Sequence, residues 1–265
     1  MSSTGTQRRE RILAELLQHR HATARELADA VEASEATVRR DLKTLADTGR
    51  VQLVYGGATI RRASDFSFQS KATRHIEAKR IIGHLAAELV ADEDQLFLDS
   101  GTTSFAVANH LKRKHGLSII VNSARLALEL DAPGLSVILL GGQYRADRMD
   151  VVGPLTMSAI DQLRGYVCMV GADGLSIDFG LAAADIESAS LYRRAVQNAR
   201  STILLADHSK FLAPSLYKIV DWHAISRVVT DRQPDESWSE FFSSRGIPVT
   251  CPAQSPAHAE ELTNA

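Results

Sequence analysis

The segment 33–49 carries three basic side chains, Arg39, Arg40 and Lys43, at a spacing that suits contact with nucleic acid. Wound as an α-helix at about 100° per residue, it places Arg40 and Lys43 opposite an apolar face. That face consists of Val38, Leu42 and Leu45. One face can pack on a core while the other enters a groove of DNA. A solvated surface helix has the same pattern, so this helix alone favours the two interpretations about equally.

A second candidate for chemistry is the segment Asp99-Ser100-Gly101-Thr102-Thr103, which follows a short apolar run and precedes a helical pattern. A glycine and three hydroxyl groups at the start of a helix, together with its free backbone N–H groups, suit an anion such as phosphate. An ordinary strand-to-helix turn uses the same residues. For so short a motif alone, that plain structural interpretation is favoured by about two to one.

Small and polar residues also follow four other apolar runs. These are Asn122-Ser123, Gly141-Gly142, Gly171-Ala172-Asp173-Gly174 and Asp207-His208-Ser209-Lys210. Each by itself suits a turn or a cap. Because ligands of open α/β sheets bind at the carboxyl ends of the strands, we expect these segments together to bind a small phosphorylated ligand. Lys210 would supply positive charge to the phosphate, and Asp99, Asn122 or Asp173 would accept hydrogen bonds from hydroxyl groups.

The elements around the basic helix predict a winged helix-turn-helix domain. Ser34 can cap the helix and Gly49 can end it, while Thr23 and Glu26 form a capping box before a shorter helix. Residues 50–55 and 58–62 alternate like a hairpin around two glycines. The side chains predicted to contact DNA are Thr23, Ser34, Glu35, Ala36, Thr37, Arg39, Arg40, Lys43 and Tyr55.

Charge is distributed unevenly along the chain, whose formal net charge is −2. Residues 1–62 contain eleven Lys and Arg against eight Asp and Glu, and the remainder contains nineteen against twenty-four. The excess of positive charge therefore lies in the predicted DNA-binding domain, as attraction to phosphates requires.

The rest of the chain predicts an α/β fold with a mostly parallel sheet, because short apolar runs alternate with helical patterns. The runs are 95–98, 117–121, 136–140, 166–170, 202–206 and 227–230. We expect a DNA-binding domain at 1–62, a linker at 63–74, an α/β effector-binding domain at 75–251 and a loose tail at 252–265.

The N-terminal motifs closely resemble those of the DeoR family of bacterial transcriptional regulators. The matching residues are Glu26-Leu27-Ala28, Ser34, Thr37-Val38-Arg39-Arg40-Asp41-Leu42, Leu45, Gly49 and Gly56-Gly57-Ala58. The family often has a glycine at the turn before the recognition helix, where this chain has Glu32-Ala33-Ser34.

The second domain resembles the DeoR sensor domain. Its matching stretches include 98–103, 121–123, 140–142, 152–154, 171–174, 186–189, 206–211 and 229–231. The resemblance implies a Rossmann-like fold similar to ribose-phosphate isomerases, glucosamine-phosphate deaminases and CoA transferases, and binding of a phosphorylated sugar that commonly releases operator DNA. It also adds Glu187 to the expected effector site. His208 stands where the family usually has a small residue, and we assign it no role.

Two features limit these expectations. The charged residues of the loop 143–151, Arg145, Asp147, Arg148 and Asp150, could line the pocket mouth, but plain surface is favoured by about two to one. An isomerase or deaminase that uses Asp99, Asp173 and Glu187 as acid and base is the alternative function. The predicted helix-turn-helix argues against an enzyme. We therefore expect no catalytic residues and no cofactor. The expected function is that of a repressor of carbohydrate genes.

Partners and location follow from the same features. Operators are commonly paired half-sites, so we expect a homo-oligomer, dimer or tetramer, assembled through the sensor domain. The two cysteines, Cys168 and Cys251, lack paired spacing, which predicts neither a disulfide framework nor a zinc site. No stretch reaches the roughly 20 apolar residues of a membrane helix, and a cytoplasmic protein is expected.

Overall fold

Residues 3–19, 21–47, 51–60, 68–212 and 215–253 are described by the computed structural model. The chain forms two units, Met1–Lys71 and Ala72–Ala265. Each unit has its own apolar core, and each is described here by itself.

The first unit contains three helices, α1 (Ser3–His19), α2 (Ala24–Val31) and α3 (Glu35–Asp47). The predicted capping box is present, because the Glu26 amide donates to Thr23 Oγ1 and the Thr23 amide donates to the Glu26 carboxylate. Ser34 caps α3 by accepting a hydrogen bond from the Thr37 amide at 3.2 Å. Gly49, the predicted end of α3, lies outside the described residues.

A three-stranded antiparallel sheet completes this unit, with β1 (His21–Thr23), β2 (Val51–Val54) and β3 (Gly57–Ile60) in the order β1-β3-β2. The predicted hairpin is confirmed in β2 and β3, whereas β1 was not predicted. A Cβ at Gly57 would lie 2.2 Å from the Ala22 carbonyl oxygen, so glycine is required for β3 to approach β1. The helices and this hairpin together form the predicted winged helix-turn-helix.

The segment predicted to be a linker contains a short helix, α4 (Phe68–Ala72). The rest of its N-terminal half, and most of the predicted C-terminal tail, lie outside the described residues.

A seven-stranded sheet organises the second unit, and all of its paired strands are parallel. Its strands are β4 (Gln95–Leu98), β5 (Leu117–Val121), β6 (Leu135–Leu139), β9 (Val167–Gly171), β12 (Ser201–Leu205), β14 (Arg227–Val229) and β15 (Val249–Thr250). Their order across the sheet is β15-β14-β12-β9-β4-β5-β6. The predicted mostly parallel α/β fold is therefore confirmed.

Shorter antiparallel strands and six helices surround this sheet. The strands are β7 (Gln143–Arg145), β8 (Asp150–Val152), β10 (Gly174–Ser176), β11 (Gly180–Ala183) and β13 (Tyr217–Val220). The helices are α5 (Ile76–Glu88), α6 (Thr102–Leu111), α7 (Ala124–Glu129), α8 (Pro154–Ile160), α9 (Ile186–Asn198) and α10 (Glu236–Ser244). The sequence did not predict β7, β8, β10, β11, β13 or β15, because they are short and lack an apolar alternation of their own.

Alternate residues of the central strands belong to two separate cores. Cys168 and Val170 of β9 pack in one core, while Met169 packs in the other, and Leu204 and Leu205 of β12 divide in the same way. This is the burial expected of a parallel sheet covered on both faces. Both cysteines are free thiols. None of the helices in the described part of the chain is long and apolar enough to cross a membrane.

Candidate functional site

The outer face of α3 is exposed and basic. Val38, Leu42 and Leu45 are buried, whereas Glu35, Ala36, Arg39, Arg40 and Lys43 are exposed and Thr37 is half-buried. Arg39 forms an ion pair with Glu35 at 3.3 Å. Among the described residues, the side chains of Arg40 and Lys43 form no ion pair. These two cations are therefore available to an external anion.

Asp41, within the same basic motif, has a structural role. Its side chain is buried on the inner side of α3, where it accepts hydrogen bonds from Arg8 Nε at 2.6 Å and Arg9 at 3.4 Å. The pair connects α3 to α1. The motif therefore combines outward cations with an inward carboxylate that holds the helix in place.

The other predicted DNA contacts differ in their surroundings. Thr23 and Ser34 are occupied as helix caps, so their side chains first of all position α2 and α3. Tyr55 is fully exposed at the turn between β2 and β3. That turn is the tip of the wing.

Asp99 lies at the carboxyl end of β4 and holds the edge of the sheet together. Its buried carboxylate accepts hydrogen bonds from the Gly171 amide at 2.7 Å, the Gly101 amide at 3.0 Å and Ser104 Oγ. Burial raises the pKa of Asp99, and these hydrogen bonds oppose that shift. The side chain thus ties the end of β9 to the first turn of α6, and it is less available to a ligand than predicted.

The N-terminus of α6 follows directly. Gly101 is the N-cap residue and provides no side-chain cap, so the first amides of the helix, including those of Thr102 and Thr103, have no capping side chain. Thr102 is half-exposed and Thr103 is buried. The amides of this turn carry the positive partial charge of the helix dipole, which suits an anion.

Ser100 is hydrogen-bonded to a buried ion-pair network. Its hydroxyl donates to Asp150 Oδ2 at 2.9 Å and lies 2.8 Å from the Tyr192 hydroxyl. Arg145 binds both carboxylate oxygens of Asp150, with Nε at 2.8 Å and a terminal nitrogen at 2.7 Å. Asp150 is completely buried. Fork geometry of this kind is the strongest form of ion pairing in proteins.

The network continues to the start of α9. Arg145 contacts Asp185 at 2.9 Å and Ser188 at 3.0 Å, and Arg148 also binds Asp185. Burial alone would lower the pKa of Arg145, but Asp150 and Asp185 raise it. For Arg145, Arg148 and Asp150 the favoured interpretation as plain surface was wrong, because the loop folds inward as β7 and β8. Asp147 is exposed.

The remaining predicted residues on this side are close to the same network. Asn122 is buried and donates to the Val151 carbonyl at 3.1 Å, while its Oδ1 has no partner among the described residues. Ser123 caps α7 at the Leu126 amide. The Gly141 carbonyl accepts from Thr156, and a Cβ at Gly142 would collide with that same hydroxyl at 1.9 Å. Gly141 and Gly142 therefore shape the end of β6.

The predicted acidic residues and Lys210 do not form one cluster. Asp173 accepts a hydrogen bond from the Ala184 amide at 2.8 Å, and Glu187 lies 3.6 Å from Arg145 at the exposed start of α9. Lys210 lies after β12, in a 3-10 turn (His208–Leu212), close to Asp207. Burial opposes ionisation of Asp207, but Lys210 and Ser209 lower its pKa overall. Among the described residues, no hydrogen bond or ion pair joins Lys210 to the 99–103 loop.

Sequence reasoning missed several polar residues at this edge: Tyr192, Asp185, Ser188 and His75. Tyr192 and Ser188 lie within an amphipathic helix, so no local signal distinguishes them from its other core and surface positions. Their role depends on contacts between segments far apart in the chain.

Two family models match the chain. Residues 8–63 match the DeoR-like helix-turn-helix domain, and residues 74–232 match the DeoR C terminal sensor domain.

Curated relatives match over most of their length. The chain is 32% identical to the HTH-type transcriptional repressor GlcR of Bacillus subtilis, covering 89% of this chain and 92% of the relative. It is 29% identical to GolR, an HTH-type transcriptional regulator of Listeria innocua, over 92% and 97% of the two chains. It is also 29% identical to the glycerol-3-phosphate regulon repressor of Escherichia coli, over 91% and 97%.

Among solved structures, a ribose-5-phosphate isomerase in complex with phospho-erythronic acid aligns with a TM-score of 0.39 and 17% identity, over 52% of this chain and 54% of that one. Similarity at this level carries no conclusion about the present chain.

The Arg145 network gives a test of stability. Arg145→Met leaves the Asp150 carboxylate buried without its partner, and we expect the free energy of unfolding to fall by about 3–5 kcal/mol. Urea denaturation measures this change. Asp147→Asn, in the exposed part of the same loop, is the control and should change stability by less than about 0.5 kcal/mol. Equal effects of the two substitutions would show that the network does not stabilise the fold.

Proposed function

The chain belongs to the DeoR family of transcriptional regulators, and from this premise we propose that it represses carbohydrate genes until a phosphorylated sugar binds its sensor domain. The observation that carries the proposal is the pairing of an exposed basic recognition helix with an uncapped helix N-terminus at the ligand edge of a parallel sheet. Relatives named as repressors, one of them of a glycerol-3-phosphate regulon, support it. Because operator DNA is the partner, we place the protein in the cytoplasm.

DNA binding in this proposal depends on Arg40 and Lys43. Both are exposed on α3, opposite its buried face, and neither is neutralised by an ion pair in the described part of the chain. Arg40 has the fork of donors that reads guanine or grips a phosphate, and Lys43 supplies a point charge. Arg39, already paired with Glu35, must exchange that partner to contribute. Half-buried Thr37 and exposed Tyr55 are the other polar side chains to which we assign a DNA contact.

The effector site in this proposal extends along the edge from the N-terminus of α6 to Lys210. In the sheet order, β9 alone separates β4 from β12, and neighbouring strands are about 4.8 Å apart. The two positive features are therefore separated by about two strand spacings, a distance that a phosphorylated sugar can span. The phosphate would bind one of them, and hydroxyl groups would contact polar residues between them.

We propose a binding function for this edge rather than the alternative catalytic one. Both oxygens of Asp99 accept hydrogen bonds from the protein, Asp173 accepts from the Ala184 amide, and Glu187 lies beside Arg145. Carboxylates held in this way are poorly placed for proton transfer. A turnover assay on sugar phosphates checks this, since release of an isomerised or deaminated product would contradict it.

We also propose that the chain self-associates through the β6 edge of the sheet. Among the described strands β6 pairs with β5 alone, and three large apolar side chains nearby are exposed, namely Leu128, Ile138 and Leu139. A depression of about 490 Å³ lies between α7 and β6. An edge strand pairs with a second copy of itself by a two-fold axis, which is the symmetry that paired operator half-sites require.

Operator affinity tests the assignment of α3. Arg40→Ala should weaken binding to DNA from upstream of the gene by about tenfold and reduce the slope of its salt dependence by about one, because one cation is lost. Fluorescence anisotropy at several salt concentrations measures both. Arg113→Ala, an exposed arginine of the sensor domain, is the control and should bind normally. Unchanged affinity in Arg40→Ala would exclude Arg40 as a residue that contacts DNA.

Effector response tests the sheet edge. Lys210→Ala and Thr102→Val should leave DNA affinity intact while raising the concentration of sugar phosphate needed for release by about tenfold or more, since a charge-assisted contact is worth about 1.5–3 kcal/mol. A panel of sugar phosphates and their unphosphorylated parents identifies the effector. Lys112→Ala, at the other end of α6, should respond as wild type. A normal response in both variants would remove this edge from effector binding.

Oligomeric state tests the β6 edge. Leu139→Glu places a charge in the proposed interface and should shift the protein toward the monomer in sedimentation velocity experiments. Leu155→Glu, at an exposed leucine of α8, is the matched control and should leave the assembly unchanged. If Leu139→Glu has the wild-type sedimentation profile, the interface lies elsewhere.

A further inference from the structure

Two histidines and an aspartate meet beyond the end of β12. Ligand atoms of His75, Asp207 and His208 all lie within 4.8 Å of one another. The imidazole rings of His75 and His208 meet edge to face, with centroids 4.8 Å apart. His75 is exposed, His208 is half-buried and Asp207 is buried. The cluster is thus open on one side and enclosed on the other.

Asp231 fixes the orientation of His208. The Asp231 carboxylate lies 2.8 Å from His208 Nδ1 through one oxygen and accepts the His208 amide at 2.7 Å through the other. When Nδ1 donates to this carboxylate, Nε2 is the nitrogen that carries the lone pair a metal would bind. A carboxylate behind a histidine in this way is the usual outer support of a metal-binding imidazole.

Asp207 provides an independent observation. Its Oδ1 accepts hydrogen bonds from the amide and hydroxyl of Ser209. Its Oδ2 is buried and has no hydrogen-bond partner among the described residues. A buried carboxylate oxygen without a partner is costly, on the order of 1–3 kcal/mol or more. Asp207 therefore has one buried carboxylate oxygen that lacks a hydrogen-bond partner in the described part of the chain, at the point where the two histidines converge.

We propose that His75, Asp207 and His208 bind a divalent transition-metal ion of the zinc, cobalt or nickel class. Two imidazole nitrogens and one carboxylate oxygen are the ligands that these ions prefer, whereas Mg²⁺ and Ca²⁺ require mostly oxygen. The fourth position is open to water or another ligand, as in sites with three protein ligands.

The geometry requires a small movement on binding. Ligands about 2.0–2.1 Å from a tetrahedral ion lie roughly 3.3 Å apart, so the cluster must contract from its present spacing. His75 can make this movement because it is exposed, while Asp207 and His208 are held by Ser209 and Asp231. The metal would thus bind two fixed ligands and draw in the third.

Local charge is mixed. Asp207, Lys210 and Lys79 all interact electrostatically with His75, and the Asp231 carboxylate lies behind His208. Lys210 repels a bound cation, so its removal should tighten metal binding. The opposite holds for an anion, which gives a direct way to distinguish a metal site from a phosphate site in the same cluster.

Metal titration of the full-length protein tests the proposal. Untagged protein, stripped with chelator and dialysed, is titrated with Zn²⁺ by calorimetry and with Co²⁺ by visible absorption, which reports coordination geometry. We expect one ion per chain. His75→Ala and His208→Ala should each weaken binding at least tenfold, and Asp231→Asn by about 10–100-fold through loss of outer support. Lys210→Ala should bind the ion more tightly than wild type.

Matched variants complete the experiment. His223→Ala, an exposed histidine elsewhere in the sensor domain, and Cys251→Ser should bind as wild type. His75→Ala is the more informative ligand variant, because an exposed side chain contributes little to folding, and circular dichroism verifies that the fold is retained. Absence of saturable binding, or wild-type binding in both His75→Ala and His208→Ala, would overturn the proposal.

Discussion

The common direction of seven strands is the constraint on which the sensor domain depends. Because every paired strand of the sheet is parallel, all carboxyl ends and the loops that follow them meet at one edge. Residues that are far apart in the sequence, between 99 and 231, are brought together at this edge. Asp99 strengthens this arrangement, since its buried carboxylate accepts hydrogen bonds from the Gly171 amide at the end of β9, the Gly101 amide and the Ser104 hydroxyl in the first turn of α6. This edge of the sheet is thus organised by the common strand direction and fixed by the Asp99 side chain.

Charge at this edge is divided between structure and binding. Arg145, Arg148, Asp150 and Asp185 neutralise one another in a network that is largely shielded from water. A buried network of this kind favours stability chiefly when every charge in it is paired, because a single buried charge without its partner is strongly destabilising. The groups that we propose for ligand binding are less conspicuous: the amides at the start of α6, the ammonium group of Lys210 and the imidazoles beside Asp207. In this proposal the residues that hold the edge and those that face a ligand are largely different.

The same division occurs in the DNA-binding unit. Within the Arg39-Arg40-Asp41 motif, Asp41 faces inward to Arg8 and Arg9, whereas Arg40 remains exposed and unpaired in the described part of the chain. Thr23 and Ser34, predicted to contact DNA, are engaged as helix caps. In the proposed function, these two capping side chains therefore contribute mainly by orienting the helix that carries Arg40 and Lys43.

Local patterns in the sequence determined the helix-turn-helix, the N-terminal caps Thr23 and Ser34, and the two domain types. They also located six of the seven strands of the main sheet to within one residue, since apolar runs and capping residues act over a few neighbours in the chain. The antiparallel strands, the inward fold of the 143–151 loop and the convergence of His75 with His208 were decided only by tertiary structure. Each depends on contacts between segments distant in sequence. The order of strands in the sheet brings Arg145 to Asp185 and His75 to Asp207. Pairing energies of this kind arise from three-dimensional proximity and burial, which no local periodicity encodes.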